Sequence, residues 1–205
     1  MFVALRRLSR LAAIMLTAGA VLMATWRVST AQGKSPEWLR LDTEIVVGPN
    51  GELIITKINV VRFTSGTFTF GFRDIDLRCL VAVREVSVQE DGQPLRVETG
   101  ADGDYFRIKY HFRSPAINET RTFVLRYVVE GAIRYYEQGD QVWWVAVYAD
   151  RNDFPVRHAR AVVRLPQGVA EQAAAYGVPA TVSGVGEQVV VAEAQSPCPM
   201  EWRWR

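Results

Sequence analysis

Along residues 39–47, apolar side chains alternate with mostly charged ones. The apolar set includes one threonine. In a β-strand successive side chains point to opposite faces, so this period of two predicts a strand with one apolar face. The tripeptide Pro49-Asn50-Gly51 follows, and an Asn-Gly pair accepts the positive φ that a tight turn requires. A second run, residues 52–63, returns from this turn. The pattern therefore predicts a β-hairpin.

Short runs of strand-like sequence continue along the chain, with turn residues about every 8–12 positions. They are residues 67–72, 80–88, 95–98, 105–112, 120–130, 141–148, 158–165 and 188–192. The run 141–148 is apolar on both faces, which is typical of a central strand that is covered twice. The best candidate for a helix, residues 169–176, is ended quickly by Gly177. We therefore predict an all-β fold, an antiparallel β-sandwich of the immunoglobulin-like type.

The chain begins with the pattern of a secretory signal peptide. Basic residues such as Arg6 and Arg7 precede an apolar run, Leu11–Trp26, and the small residues Ser29-Thr30-Ala31 fit a signal-peptidase site. The alternative is a short membrane anchor. A helix of these sixteen residues is about 24 Å long, whereas the hydrocarbon core is about 30 Å thick. We expect residues 1–31 to be a cleaved signal peptide or, as the alternative, an anchor helix with the domain outside.

The remaining residues, 32–205, have the length of one β-sandwich domain. This part keeps 20 of the 24 basic residues and all 22 acidic residues, which gives a net charge of about −2. A basic surface is therefore not supported, and we expect no nucleic-acid partner. At the carboxyl end Met200, Trp202 and Trp204 share one face of a last strand, and the chain stops inside it. We expect the domain to be truncated there.

The sequence contains no motif for a known catalytic site, metal site or phosphate loop, so we expect no catalytic residues, no metal and no cofactor. Aromatic side chains are concentrated in residues 135–148, and acidic residues follow them. The candidate ligand contacts are Tyr135, Tyr136, Trp143, Trp144, Asp150 and Asp153. Adjacent strand residues point to opposite faces, so at least one of Trp143 and Trp144 should lie in the core. Cys79 and Cys198 can form a disulfide outside the cytoplasm, or remain two separate thiols.

The mature sequence resembles the domain of unknown function 2207 (DUF2207), a family of predicted bacterial membrane proteins. The elements that carry the resemblance are, in order, Gly51-Glu52-Leu53, Phe72-Arg73-Asp74-Ile75, Thr122-Phe123, Gly131-Ala132, Tyr135-Tyr136, Gly139-Asp140, Trp143-Trp144, Pro155-Val156 and Leu165-Pro166. The resemblance implies an exported, extracytoplasmic β-rich domain whose parent protein continues into transmembrane helices. The resemblance provides no established catalytic residues to carry over to this chain. It leads us to expect an acid near position 57, where this chain has Lys57.

Three classes of function fit these observations. The first is a non-enzymatic interaction or scaffold domain, held at the membrane by the anchor or by helices further along its parent, with an envelope or membrane protein as partner. The second is an envelope glycan- or peptide-binding module that uses exposed aromatic side chains or the acidic loop. The third is an enzyme without a recognisable motif. The even spread of titratable side chains, without close pairs, favours the first class.

Overall fold

The computed structural model describes residues 34–148 and 154–198 and the backbone of residues 202–204. The predicted leader, residues 1–31, lies outside these residues. The described residues form strands and no helix, and thus no helix that is long and apolar enough to cross a bilayer. In chain order the strands are β1 Ser35–Val47, β2 Leu53–Ser65, β3 Phe68–Asp76, β4 Ala82–Glu90, β5 Gln93–Pro94, β6 Arg96–Asp102, β7 Tyr105–Ala116, β8 Glu119–Glu130, β9 Ile133–Arg134, β10 Gln141–Val142, β11 Trp144–Val147, β12 Val156–Arg164, β13 Ala175–Tyr176, β14 Ala180–Ser183, β15 Val189–Ala194 and β16 Trp202–Trp204.

Eight strands form one large sheet in the order β14-β15-β12-β1-β2-β8-β4-β5. The predicted hairpin is confirmed, because β1 and β2 pair antiparallel with Val47 opposite Leu53 beside the turn. Along its other edge β1 pairs in parallel with β12, whereas the other described neighbours in this sheet are antiparallel. The all-β prediction is therefore confirmed, and the parallel pair is a departure from a purely antiparallel sandwich.

Smaller sheets cover one face of the large sheet, and the core lies between the layers. The smaller sheets have the orders β3-β7-β6, β11-β16-β13 and β10-β9. Phe63 of β2 and Phe68 of β3 have their ring centroids 4.7 Å apart, and Phe123 of β8 stacks on Phe112 of β7 at 4.8 Å. Apolar residues of β1, β2, β8 and β12 fill the same layer. The large sheet thus supports both three-stranded sheets on one apolar surface.

A buried ion pair fastens the sheet β3-β7-β6 to the large sheet at one end. Arg121 of β8 is 7% exposed, and its Nη1 donates to Glu90 of β4 at 2.5 Å. The same guanidinium donates to the carbonyl oxygens of Ser114 and Pro115 and to the carboxylate of Glu119. Burial lowers the pKa of Arg121, but the hydrogen bonds with Glu119 and Glu90 outweigh burial and raise it. Arg121 therefore connects β8 with β4 and β7 through charged hydrogen bonds.

One prediction about local structure is wrong. The run 141–148 is not one central strand, because it is interrupted after β10, and β10 and β11 belong to different small sheets. An apolar run of this length also fits a short strand laid over a larger sheet, and periodicity does not separate the two. Residues 169–176, the best candidate for a helix, are not helical, in agreement with the all-β prediction. The N–H of Ala170 donates to Glu187, and its carbonyl accepts from Gly186, so the turn before β15 takes the bonds that a helix would need.

Candidate functional site

A cluster of buried polar side chains lies between the large sheet and β11. Lys57 of β2 is fully buried, and its Nζ donates to Thr43 Oγ1 at 3.0 Å and to the carbonyl oxygen of Ala146 at 2.6 Å. Thr43 Oγ1 donates to the same carbonyl oxygen at 3.0 Å. The ring of Tyr148 receives two cations, with Lys57 Nζ 4.7 Å and Arg73 Cζ 3.4 Å from its centre. We call these five residues the Lys57 cluster.

The Lys57 cluster joins β1, β2, β3 and β11 in the interior. Charge-assisted hydrogen bonds and cation–π contacts both gain strength where water is excluded. Since the ammonium group of Lys57 is enclosed by protein, it stabilises the fold and does not contact a ligand in solution. Sequence reasoning missed this burial. The signal was present, because Lys57 stands two positions after Ile55 and shares the apolar face of β2.

The aromatic side chains predicted as ligand contacts do not form one platform. Trp144 is 7% exposed and packs in the core, whereas Trp143 is 40% exposed. The two rings therefore lie on opposite sides of the chain, as the alternation of a strand predicts. Tyr135 and Tyr136 are both exposed. Only Tyr135 among these four aromatic residues lines a described cleft.

The other predicted site residues contribute less to the described structure. Asp150 and Asp153 lie outside the described residues. Cys79 is exposed and Cys198 is buried, and the structure shows no bond between the two sulfurs. The pairing of Cys79 with Cys198 stays a prediction. Within the described ranges, no three His, Cys, Asp or Glu side chains lie close enough together to hold a metal ion.

Tyr135 closes one side of a cleft where the β1–β2 turn, the start of β4 and the end of β8 meet. The cleft has a volume of about 300 Å³, and its walls include Glu52, Val81, Arg84, Glu130, Ile133 and Tyr135. We call it the Tyr135 cleft. Gly51 has a φ of +82°, and a Cβ atom at this position would lie 2.6 Å from the Tyr135 hydroxyl oxygen. Glycine therefore lets the tyrosine approach the turn closely.

Carboxylates outnumber cations in the Tyr135 cleft. Arg84 Nε donates to Glu130 Oε1 at 2.6 Å, and Nη1 of the same side chain donates to Glu85. The hydrogen bond with Glu130 is the largest influence that raises the pKa of Arg84, and the charges of Glu85 and Glu52 act in the same direction. Glu52 also accepts from the backbone N–H of Asn50 at 3.1 Å. The cleft is therefore negative overall and can receive a cationic group beside an aromatic ring.

The outer face of the sheet β3-β7-β6 presents two phenylalanine rings to solvent. Phe70 and Phe72 of β3 are 45% and 42% exposed. Lys109 Nζ lies 4.9 Å from the centre of the Phe70 ring, and Arg107 Cζ lies 5.4 Å from the centre of the Phe72 ring. We call these four residues the phenylalanine face. The cations hold the rings in place from the neighbouring strand without covering them.

Ion pairs balance the charge around the phenylalanine face. Glu98 of β6 accepts from Arg96 Nη2 at 2.7 Å and lies 3.2 Å from His111 Nε2. The contact with His111 is the largest influence that lowers the pKa of Glu98. On the other side of β7, Asp74 accepts two hydrogen bonds from Arg107 at 2.8 and 2.7 Å. The face is therefore apolar at its centre and charged, but balanced, at its rim.

The exposure of this face follows from an irregularity that the sequence pattern does not reveal. Alternation alone would place Phe68, Phe70 and Phe72 on one side of β3. The register of β3 with β7 shifts between Phe68 and Phe70, so Phe68 packs on the core and the other two rings face outward. Tyr110 fills the inner side at Gly71, where a Cβ atom would lie 2.4 Å from the tyrosine ring. A glycine between aromatic residues is the available signal for this close approach.

Comparison with known proteins identifies a family and a fold. Residues 38–197 match the family described as predicted membrane protein (DUF2207) N-terminal domain. No curated protein matches the chain.

Solved structures share the fold at low sequence identity. Leukotriene A4 hydrolase from Saccharomyces cerevisiae aligns with a TM-score of 0.54 and 10% identity over 90% of this chain and 32% of the enzyme. The M1 zinc metallopeptidase from Deinococcus radiodurans aligns with a TM-score of 0.51 and 15% identity over 84% of this chain and 43% of that one. A protein of Legionella pneumophila described as nutrient binding aligns with a TM-score of 0.51 and 11% identity, over 82% and 66% of the two chains. The chain thus spans about a third of the yeast enzyme, and the likeness concerns the fold alone.

Proposed function

Because the chain belongs to the DUF2207 family of predicted membrane proteins, as their N-terminal domain, we propose that it is an extracytoplasmic, non-enzymatic interaction domain. It presents the phenylalanine face to a second envelope or membrane protein, while its parent holds it at the membrane. The phenylalanine face is the observation that carries this proposal. The signal-like residues 1–31 support the extracytoplasmic side.

A rigid, half-exposed aromatic pair is the kind of surface that a protein partner covers. Phe70 and Phe72 lie on the edge strand β3 and are held by Lys109 and Arg107 of the middle strand β7, so little conformational entropy is lost when the rings are buried. Their charged neighbours, Arg107 and Lys109, can form the polar rim that surrounds the apolar centre of an interface. Arginine and aromatic residues are also the types that contribute most to the energy of interfaces.

The titratable groups support a binding role over a catalytic one. In the described part of the chain, the shifted pKa values of Glu98, Arg107 and Glu119 each arise first from a hydrogen bond with a neighbouring side chain. A catalytic acid and base would need pKa values that burial or like charges push towards neutrality. The likeness to leukotriene A4 hydrolase and to the zinc metallopeptidase concerns a fold that accounts for under half of each enzyme. That fold therefore fits a non-catalytic role as readily as an enzymatic one.

Site-specific photocross-linking in cells that express the parent protein tests this proposal. Benzoylphenylalanine at position 72 should yield one defined covalent adduct with an envelope or membrane protein. The matched control is position 176, because Tyr176 is 47% exposed and lies on a different sheet. Adding Phe70→Ser should remove the adduct while the melting temperature stays nearly unchanged. Equal adducts at both positions, or none at position 72, would contradict the proposal.

The Tyr135 cleft favours a second candidate, a module that binds a peptide through a lysine or arginine side chain. Its excess of carboxylates attracts a cation, and the ring of Tyr135 offers a cation–π contact beside the apolar side chains of Val81 and Ile133. Its volume of about 300 Å³ is at the lower end for a ligand site and matches one long side chain.

Titration with a capped tripeptide that has a central arginine tests the second candidate. The same peptide with citrulline, which lacks the charge, is the ligand control. Glu130→Gln and Tyr135→Ala should each weaken binding of the arginine peptide several-fold, whereas the exposed residue Glu187, outside the cleft, should be replaceable by glutamine without effect. Equal affinity for the two peptides would exclude the cleft as a cation site.

A further inference from the structure

Strand β6 is an open edge of the sheet that bears the phenylalanine face. β7 lies on one side of β6, and no described strand lies on the other side. All seven residues of β6, Arg96–Asp102, pair with β7 without a register shift, and all but Val97 are exposed. The strand contains no proline and no bulge, which are two of the devices that prevent pairing at an edge. β6 is thus a regular template for another strand.

Other edges in the described part of the fold are less suitable. β5 has two residues, one of which is Pro94, and β14 has four. β3, the opposite edge of the same small sheet, is irregular between Phe68 and Phe70. From Phe70 to Asp76, β3 is as regular as β6, but Arg73 and Ile75 of β3 are buried, whereas every residue of β6 except Val97 is exposed. Regular pairing together with exposure therefore distinguishes β6 from the rest.

The side chains of β6 are complementary to a second, antiparallel copy of the same strand. If two copies of β6 pair about Thr99, Arg96 of each lies opposite Asp102 of the other. Glu98 then lies opposite Gly100, where a side chain would meet open space. These four residues alternate on the outer face, as their partners on β7 show. Opposite charges directly across a strand pair are favourable, and a two-fold axis provides this Arg96–Asp102 pair twice.

We infer that two copies of this chain associate through antiparallel pairing of β6 with β6 about Thr99. The result is a six-stranded sheet in the order β3-β7-β6-β6-β7-β3, closed by a two-fold axis. The axis is perpendicular to the sheet, so both phenylalanine faces lie on the same side. This inference goes beyond the proposed function and does not depend on it, because β6 and its edge remain whatever covers Phe70 and Phe72.

The contact is small, so it suits copies that a membrane concentrates. Two seven-residue strands bury less area than a standard interface of about 1,600 Å², and a weak dimer is expected in dilute solution. Confinement of both copies to one membrane raises their effective concentration and makes a weak contact sufficient. Covalent trapping at the axis is therefore the appropriate measurement.

Disulfide trapping of the full chain, purified in mild detergent, tests the inference. In a Cys79→Ser background, Thr99→Cys places two thiols opposite each other across the axis, where cross-strand Cβ atoms are about 4.5–5.5 Å apart. Mild oxidation should convert most of this variant to a covalent dimer. Ser183→Cys is the matched control, because Ser183 is an exposed residue on another edge strand, β14. Equal yields from the two variants would overturn the inference.

Exchanging the charges at positions 96 and 102 distinguishes cross-linking in the proposed β6 register from cross-linking by random collision. Arg96→Asp and Asp102→Arg, each added to Thr99→Cys, create two like-charge pairs and should lower the yield of dimer at least fivefold. Both changes together restore opposite charges and should restore the yield. If the double exchange behaves like the single ones, this register is wrong.

Two further measurements assign the partner. The yield should survive Phe70→Ser with Phe72→Ser, so that failure of the phenylalanine face as an interface leaves this result intact. In cells, benzoylphenylalanine at position 99 should cross-link two copies of the parent protein. An adduct with a different protein there would mean that β6 receives a donated strand, and self-pairing would be wrong.

Discussion

Lys57 extends from β2 into the interior, and its ammonium group donates to both Thr43 and the carbonyl oxygen of Ala146. One side chain thereby ties β11 to the middle of the large sheet. A buried cation of this kind is costly to desolvate, so its partners must remain in place for the fold to be stable.

Removal of the Lys57 ammonium group should destabilise the protein. Lys57→Met keeps the stem but loses the hydrogen bonds, and we expect a loss of about 1–3 kcal/mol in the free energy of unfolding. Lys57→Ala also creates a cavity and should cost about 2–5 kcal/mol. Lys109→Met, at an exposed lysine, is the control and should stay within about 0.5 kcal/mol. Urea unfolding measures all three, and equal effects at positions 57 and 109 would show that the cluster is not stabilising.

The contribution of Arg121 to stability should depend strongly on its ion-pair partner, Glu90. Arg121→Met leaves the carboxylate of Glu90, which is 4% exposed, without its cation and should cost about 3–5 kcal/mol. The double variant with Glu90→Gln removes the buried charge as well and should recover part of that loss. A double-mutant cycle from urea unfolding gives the coupling energy. Simple additivity of the two changes would argue against a coupled pair.

Glu119 adds a pH dependence whose sign can be derived. The hydrogen bond from Arg121 lowers the pKa of Glu119 below its ordinary value of 4.5. A lowered pKa stabilises the folded protein above pH 4.5, and that stabilisation is lost as the pH falls through the lower folded-state value. Glu119→Gln should therefore reduce the acid sensitivity of the melting temperature between pH 6 and about pH 3. An unchanged pH profile would contradict this role.

At the scale of elements, the β1–β2 turn allows a matched test of backbone strain. Gly51 and Gly92 have nearly the same φ, +82° and +80°, but only a Cβ atom at Gly51 would meet the Tyr135 hydroxyl group. Gly51→Ala and Gly92→Ala should each cost about 1–2 kcal/mol, because alanine resists this conformation. Since Tyr135 is exposed and can move, the two losses should be similar. Only Gly51→Ala should shift the NMR signals of the Tyr135 ring, and a shift from both variants would contradict the contact.

The elements that sequence reasoning predicted are those whose signals are local. The hairpin of β1 and β2 follows from alternation and from Asn50-Gly51, which both act over a few residues. The pairing of β1 with β12 joins residues more than a hundred positions apart, for example Trp38 and Val156, and no local pattern specifies it. The same reason explains the error at residues 141–148, whose apolar pattern is correct but whose sheet depends on distant partners.

The candidate sites also combine features that local sequence predicts with features that depend on distant strand pairing. Tyr135 was predicted as a ligand contact, and it does line a cleft, but Arg84 and Glu130 reach that cleft from β4 and β8. The exposure of Phe72 depends on a register shift with β7, which no spacing within β3 records. Sequence patterns identify residue types suited to a site, whereas the pairing of strands decides which of them meet.

At the scale of the whole molecule, the two cysteines report on which side of the membrane the domain lies. Cys79 is exposed and Cys198 is buried. In intact cells that express the parent protein, a membrane-impermeant maleimide should label Cys79 if the domain is extracytoplasmic. Cys79→Ser should abolish the labelling, because Cys198 becomes reactive only after denaturation. Labelling that requires permeabilised cells would place the domain on the cytoplasmic side and contradict the proposed location.

The parallel pairing of β1 with β12 also sets the order in which the sheet can be completed. As the chain emerges from its amino end, β1 becomes available first, and β2 pairs with one edge of it after a short turn. The other edge of β1 must wait for β12, and nine strands, β3 to β11, come between β2 and β12 in the described order. During that interval a partly formed sheet with an open apolar strand is the species that aggregates most readily. Protection of the nascent chain until β12 has been released is therefore a requirement that this topology places on its biogenesis.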